Sequence, residues 1–174
     1  IRLNVTSDIP AKYLKPIMDA HPEVMFYDYT KLDQDPVAAN HHLTYSATGA
    51  SQIINGEKVF NPHQNWDRMK RRLDNGYNVA MPFSSKTDMP AFLRDEATGH
   101  TYQVWDGDNY DARFLDPKRE DGKGMIIGLT NKDATKSAAR AVKESNGFFI
   151  DYDKNRHGDT AVQPDQSKFE MKVI

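Results

Sequence analysis

The stretch GMIIGL at residues 124–129 is the clearest indicator of the fold. Its apolar residues are nearly continuous and do not alternate with polar ones, which is typical of a strand buried on both faces, as in a parallel sheet. Three earlier stretches are also strand-like: VMFYDY at 24–29, HLTYS at 42–46 and NVAMPF at 78–83. The sequence therefore predicts a sheet with a buried centre.

Strand-like and helical patterns alternate along the rest of the chain. The other predicted elements are a strand at 2–6, helices at 11–20 and 62–73, a hairpin at 53–60 turning at Asn55-Gly56, a short helical turn at 88–94, a strand at 101–105, a helix at 134–144 and a strand at 147–151. Such alternation predicts an α/β fold with a mostly parallel sheet and helical crossovers.

The composition restricts both the number of domains and the chemistry. The chain has 174 residues, with 23 Lys and Arg, 25 Asp and Glu, a formal charge of −2 and no cysteine. We expect one α/β domain over 1–153 and a loosely packed, polar tail over 154–174. Without cysteine, the chain has no thiolate zinc site, cysteine nucleophile or disulfide of its own. The near-neutral charge argues against a general polyanion binder.

The sequence also gives expectations about location and completeness. No stretch approaches the ~20 consecutive apolar residues of a membrane span, and the first residues lack the features of a signal peptide. We therefore expect a cytoplasmic protein without a membrane partner. The chain opens in a strand-like stretch without Met, which predicts an upstream segment or a partner chain that completes the fold.

Five blocks of the sequence, in order, carry a family resemblance. They are RLNVTSDIP at 2–10, FYDYTK at 26–31, HLTYS at 42–46, NVA at 78–80 and DGDNYDARFLDP at 106–117. Together they resemble a family of phage- and prophage-encoded proteins without an assigned activity. The resemblance implies a phage origin, the cytoplasm of a bacterial host, and an α/β arrangement like a partial or small TIM-type barrel. It also implies a preceding cysteine-containing segment, whereas this chain has no cysteine.

Polar residues follow the predicted strands closely. In parallel α/β folds, ligands bind at the carboxyl ends of the strands. We predict that four residues bind substrate. Asp8, Tyr29 and Ser46 lie at these strand ends, and Arg113 lies close by in the acidic segment. The alternatives are that Asp8 is a helix cap and that Arg113 neutralises a neighbouring aspartate.

Three residues are candidates for catalysis. Asp28 lies in an aromatic strand end, where a carboxylate must be paired or solvated, so it is either a general acid or base or half of a structural ion pair. His42 is a candidate proton carrier, or alternatively a core histidine. Lys31 is the predicted contact for an anion or oxyanion.

The acidic segment after the predicted strand at 101–105 suggests a metal site. Asp106, Asp108 and Asp111 place three carboxylates within six residues, and oxygen ligands suit a divalent cation such as Mg²⁺. Asp-Gly and Asn-Tyr-Asp are also ordinary turn sequences, so a plain turn is the alternative.

The leading hypothesis from these residues is an enzyme that acts on a nucleotide or nucleic acid at the carboxyl ends of its strands. The basic cluster over 68–72, near Trp66, is a possible phosphate-backbone contact or simply a solvated helix face. No Gly-rich phosphate loop, esterase elbow or zinc-protease motif is present. The alternative is a non-catalytic phage protein that binds a host or phage protein through residues 49–61 and the tail after Lys154.

Overall fold

A computed structural model gives the structure of the protein and describes residues 1–47, 50–54, 57–61, 66–83, 85–86, 89–95, 98–130 and 132. The helices are α1 (Lys15–Ala20) and α2 (Trp66–Asp74), with short 3-10 helices at Ala11–Tyr13 and Arg113–Leu115. The strands are β1 (Phe26–Thr30), β2 (His41–Ser46), β3 (Ala50–Ile54), β4 (Glu57–Asn61), β5 (Val79–Phe83), β6 (Phe92–Arg94), β7 (Thr101–Asp106) and β8 (Ile126–Thr130).

Six of these strands form one sheet in the order β1-β2-β5-β8-β7-β6. The first five are parallel to one another, and β6 runs antiparallel to β7. This confirms an α/β-like fold with a mostly parallel sheet. The expected TIM-like barrel is not confirmed, because the described sheet is open, with β1 at one edge and β6 at the other.

The expected helical crossovers are few in the described part of the chain. Only the connection from β2 to β5 contains an α-helix, α2, which follows the β3–β4 hairpin. The connection from β1 to β2 spans residues 31–40 without a helix, and that from β7 to β8 contains only a 3-10 turn. Pro36 and Pro117 lie in these two connections, and proline removes a helix donor and clashes with the preceding turn.

The N-terminal residues do not form the predicted strand at 2–6. The backbone N–H of Asn4 donates to the Asp28 carboxylate at 2.7 Å, and the Asn4 side-chain oxygen accepts from the Ser7 hydroxyl and the Ile9 N–H. Asparagine side chains that bond to nearby backbone compete with regular ladders. The segment therefore runs along the β1 edge as an irregular strap.

A helical turn is predicted over 88–94, but the described residues of this stretch, 89–94, do not form one. The last three of them form β6, whose Phe92 pairs with Gln103 of β7. A short apolar stretch is compatible with either a helix or a strand. Here the stretch pairs with the open edge of a neighbouring strand, so it forms a strand.

The core lies mainly on one face of the sheet. There α2 packs Met69 and Leu73 against buried side chains of the central strands, among them Val79, Phe83 and Ile126. The opposite face carries a smaller cluster of Ala80, Trp105, Met125 and Ile127. The buried β8 confirms the prediction from its continuous apolar sequence.

The predicted hairpin is present, since β3 and β4 are paired antiparallel. Its predicted turn at 55–56 lies outside the described residues. So do the predicted helix at 134–144, the strand at 147–151 and the tail at 154–174, and the division into one domain and a tail stays a prediction. No helix in the described part of the chain is long and apolar enough to cross a membrane.

Candidate functional site

A cavity of about 920 Å³ lies at the carboxyl end of the sheet. The ends of β1, β2 and β8 contribute Tyr29, Ser46 and Leu129, and the segment after β7 contributes residues 107, 108, 110 and 111. The N-terminal strap closes one side with residues 2 and 4–8. We call this cavity the carboxyl-end pocket. Its position agrees with the rule that ligands of parallel sheets bind beyond the carboxyl ends of the strands.

Three cationic side chains line this pocket, and two of them have a carboxylate partner. The Arg2 guanidinium lies 3.3 Å from the Asp111 carboxylate, and the Lys132 ammonium lies 2.6 Å from that of Asp108. The Lys31 ammonium forms no ion pair with any described residue. It is the cation that remains available for a ligand.

Lys31 and Ser46 line the same pocket from neighbouring strands. Thr30 pairs with Tyr45, and Lys31 and Ser46 are the residues that directly follow this pair. The Ser46 hydroxyl makes no hydrogen bond to the described part of the protein, so the pocket contains an ammonium and a hydroxyl that are both available to a ligand.

Asp8 fixes the strap to the end of β1. One of its carboxylate oxygens accepts from the Thr30 hydroxyl at 2.8 Å, and the other accepts from the Lys31 backbone N–H at 2.6 Å. These bonds hold the strap against the strand end. They also place a negative charge near the base of the Lys31 side chain.

Tyr29 connects the strap to the loop after β7. Its hydroxyl donates to Asp111 at 3.2 Å, and the Arg2 guanidinium lies 4.7 Å from the centre of its ring. Burial raises the pKa of the Tyr29 phenol well above its usual range, and the charge of Arg113 opposes that rise. The phenol is therefore neutral and acts as a hydrogen-bond donor.

The loop after β7 forms the opposite wall. Asp108 accepts from the hydroxyl and the backbone N–H of Thr130 and from the Lys132 ammonium. The fully buried Arg113 donates to the carbonyl oxygens of Gly107, at 3.1 Å, and Tyr110. The wall is thus held from its pocket side by Asp108 and from the protein interior by Arg113.

The structure brings six of the ten predicted site residues into the carboxyl-end pocket. They are Asp8, Tyr29, Lys31, Ser46, Asp108 and Asp111. Asp28, His42, Asp106 and Arg113 lie elsewhere. Arg113, predicted to bind substrate, is fully buried behind the pocket wall, so it does not contact the pocket space.

Asp28 is buried under the strap, on the other face of the sheet from Ser46. Its second carboxylate oxygen lies 3.7 Å from Nε2 of the buried His41. Nδ1 of His41 accepts from the Val37 N–H, which assigns the ring proton to Nε2, facing Asp28. The geometry favours the structural-pair alternative for Asp28. His41 is the partner that sequence reasoning missed.

His42 lies at the amino end of the sheet, far along β2 from Ser46. It lines a smaller cavity of about 390 Å³, the amino-end pocket, together with Asp116 and Lys118. Burial, with the charge of Lys118, lowers the pKa of His42 to about 4. Burial also raises the pKa of Asp116 to about 6, against the attraction of Arg113.

The three predicted metal ligands have separate partners. The Asp106 carboxylate lies 2.6 Å from the Lys86 ammonium, whereas Asp108 and Asp111 bind the groups given above. Among the described residues, no cluster of three His, Asp or Glu side chains is placed to hold a metal ion.

The basic cluster of α2 is engaged within the protein. Lys70 lies 3.0 Å from both Asp67 and Asp95, and Arg72 pairs with Asp33 and Asp35. Hydrogen bonds, above all from Thr98, lower the pKa of Asp95, which is consistent with these contacts. These pairs favour a structural role for most of the cluster.

Sequence reasoning missed two cations and one hydroxyl of the pocket, namely Arg2, Lys132 and Thr130. Arg2 lies within a stretch predicted as a strand, whereas the candidate residues were sought after the strands. Thr130 and Lys132 follow the apolar run of β8 directly, so their position after a buried strand was a usable signal.

The fold and this pocket define an open, mostly parallel α/β protein with a polar pocket at the carboxyl ends of its strands. A family model described as Gene product 88 matches residues 1–145, and the chain belongs to that family, a phage-type gene product family without an assigned function. No curated protein and no solved structure matches the chain at a significant level.

Proposed function

We propose that this protein is an enzyme that binds a small phosphorylated ligand of the nucleotide class in the carboxyl-end pocket and acts on it. The observation that carries the proposal is the Lys31 ammonium, which has no carboxylate partner in the described structure and lines the same pocket as the Ser46 hydroxyl. An ammonium and a hydroxyl donor in one pocket suit a phosphate group.

The rest of the pocket suits the other parts of a nucleotide. Its volume of about 920 Å³ falls within the range of about 300–1,000 Å³ that is typical of small-molecule sites. Asp108 supplies an acceptor for ligand hydroxyl groups such as those of a ribose. Any proton transfer falls to a carboxylate of the pocket, since Asp28 and His42 lie elsewhere.

The test is a calorimetric titration with nucleoside mono-, di- and triphosphates, with and without Mg²⁺, followed by ³¹P NMR of the mixture. We expect binding by the unmodified protein and about tenfold weaker binding by Lys31→Met, the loss of one charge-assisted contact of roughly 1.4 kcal/mol. Lys12→Met is the matched control, because Lys12 is exposed on the 3-10 helix at Ala11–Tyr13, outside the pocket.

Two results would contradict the proposal. Absence of binding by every nucleotide tested would remove the ligand class, and equal affinity of the Lys31→Met and unmodified proteins would remove the proposed contact. New phosphorus resonances that depend on the protein would support catalysis, whereas binding with unchanged ligand would limit the function to binding.

The alternative function, binding of a protein partner, stays a prediction. It was based on residues 49–61 and on the tail after Lys154. The backbone of β3 and β4 in the first region is described, whereas the tail lies outside the described residues.

A further inference from the structure

We infer that Arg113 is a positioning residue of the carboxyl-end pocket, and that its guanidinium sets the pocket's affinity by holding the loop at 107–110. This inference rests on the proposed function, since the affinity concerned is that for a phosphorylated ligand. The role differs from the direct substrate contact that the sequence predicted for Arg113.

The first support is the placement of the guanidinium. The side chain is fully buried, and a single nitrogen, Nη2, bonds to the carbonyl oxygens of both Gly107 and Tyr110. The same guanidinium lies 4.9 Å from the centre of the Tyr110 ring. One side chain therefore bridges the two ends of the loop from the inner side.

The second support is how closely the loop approaches this group. A Cβ atom added to Gly107 would lie 2.5 Å from Nη1 of Arg113 and 2.4 Å from Cγ2 of Ile127. Gly107 thus permits a contact that any side chain at this position would prevent. The loop and the guanidinium are fitted to each other.

The third support is energetic. The Nε atom of Arg113 lies 3.6 Å from the Asp116 carboxylate, and both side chains are fully buried. Removing such a pair of charges from water costs several kcal/mol per ion, and apolar residues of similar volume are often as stable or more so. A buried ion pair is therefore weak evidence for stability. A defined loop geometry is the benefit that this arrangement provides.

The fourth support is what the loop presents to the pocket. Gly107, Asp108 and Tyr110 all line the carboxyl-end pocket, and Asp111 follows directly. If the bridge is lost, the backbone that carries Asp108 and Asp111 loses its support from the interior and is held only by the contacts of these side chains, while Lys31 and Ser46, on other strands, keep their positions. The loss of ligand affinity then comes from the changed position of the Asp108 carboxylate.

The test is ligand binding by Arg113→Lys, with Arg119→Lys as the matched control. Arg119 lies in the same connection but pairs with Asp121 at 2.6 Å, away from the loop. Lysine keeps the charge of Arg113, but its side chain is one bond shorter, so its ammonium stops short of the position of Nη2 and it lacks the planar group that lies against the Tyr110 ring. We expect about tenfold weaker nucleotide binding for Arg113→Lys and unchanged binding for Arg119→Lys.

A double-mutant cycle with Asp108→Asn separates positioning from general loss of stability. If Arg113 acts through the loop, the double variant binds the nucleotide no more weakly than the weaker-binding of the two single variants. If the two residues act independently, their losses of binding free energy add. Additive losses would overturn the inference. So would wild-type affinity of Arg113→Lys.

Gly107→Ala decides the case in which Arg113→Lys fails to fold, because its Cβ forces the loop and the guanidinium apart while the side chains of Arg113 and Asp116 are both retained. We expect the same tenfold loss, and wild-type affinity of this variant would overturn the inference. The two proposals fail in distinguishable ways. If the unmodified protein binds no nucleotide, the proposed function fails, and if it binds while both variants bind equally well, only the role of Arg113 fails.

Discussion

Ionisable side chains have different environments at the two ends of the sheet. At the carboxyl end, a cavity of about 920 Å³ is lined by two lysines, an arginine and three aspartates. At the amino end, a cavity of about 390 Å³ contains His42 and Asp116, whose pKa values burial moves to about 4 and about 6. Burial there favours the neutral form of both groups.

This difference teaches that perturbed pKa values and an available binding charge are separate signals. A shifted pKa is often taken as a sign of a functional site, although structural networks shift pKa values too. In this protein the imidazole and carboxyl groups with shifted pKa values, those of His42 and Asp116, lie at the amino end, whereas the unpaired Lys31 lies at the carboxyl end. We therefore expect substitutions at the amino end to change stability and those at the carboxyl end to change ligand affinity.

The largest effect on stability is expected for Gly124→Ala at the amino end. A Cβ atom there would lie 1.9 Å from the Tyr77 carbonyl oxygen, so backbone must move. We expect a loss of about 3 kcal/mol in the free energy of unfolding, measured by urea denaturation. Gly122→Ala is the control, since its Cβ meets nothing within 4 Å and only its positive φ costs about 1–2 kcal/mol. Equal losses would contradict the steric explanation.

The next effect is a dependence of stability on pH that comes from Asp116. Its pKa is higher in the folded protein, at about 6, than the ordinary value of 3.8, so the folded state binds the proton more tightly. The stabilisation is present below pH 4 and is lost as pH rises through 6. The shift corresponds to at most about 3 kcal/mol.

Asp116→Asn should remove this dependence. Urea denaturation between pH 4 and pH 7 measures it as the difference between the variant and the unmodified protein, which cancels the other titrating groups. The unmodified protein should lose stability relative to the variant as pH rises. His42 acts in the opposite sense, because its lowered pKa costs stability as pH falls from 6.5 towards 4. A constant difference across this range would show that Asp116 is not desolvated.

The smallest effect is expected at the carboxyl end, for Asp8→Asn. Asparagine keeps an acceptor for the Lys31 N–H but removes a negative charge near the Lys31 ammonium. We expect nucleotide affinity to rise about threefold, since exposed charge interactions are worth roughly 0.2–1 kcal/mol. Calorimetry measures it, and a decrease in affinity would mean that Asp8 binds the ligand directly.

The strands of the sheet were predictable from local sequence. Continuous or alternating apolar residues identified β1, β2, β5, β7 and β8 to within a few residues, because burial of a strand face leaves a pattern in the sequence. The irregular strap and β6 were not predictable in this way. The strap depends on the bond from the Asn4 N–H to Asp28, 24 residues away, and β6 depends on an open neighbouring edge.

The candidate site was predictable in position and only partly in composition. The rule of carboxyl strand ends led to Lys31, Ser46 and Asp108, which the fold gathers into one pocket. It failed for His42, which lies near the start of β2 rather than at its end. It also gave no means to foresee that Asp28 would face His41, because that contact depends on which face of the sheet each side chain occupies.

The strap has a consequence for behaviour at high concentration. An uncovered edge strand invites pairing with another molecule and thereby aggregation. At the β1 edge, however, the Tyr27 N–H donates to the Ile1 carbonyl at 2.9 Å, and Asn4 lies against Asp28. The strap occupies the edge without offering a regular ladder of its own to a neighbour. The segment that walls the pocket therefore also protects the β1 edge against pairing with another molecule.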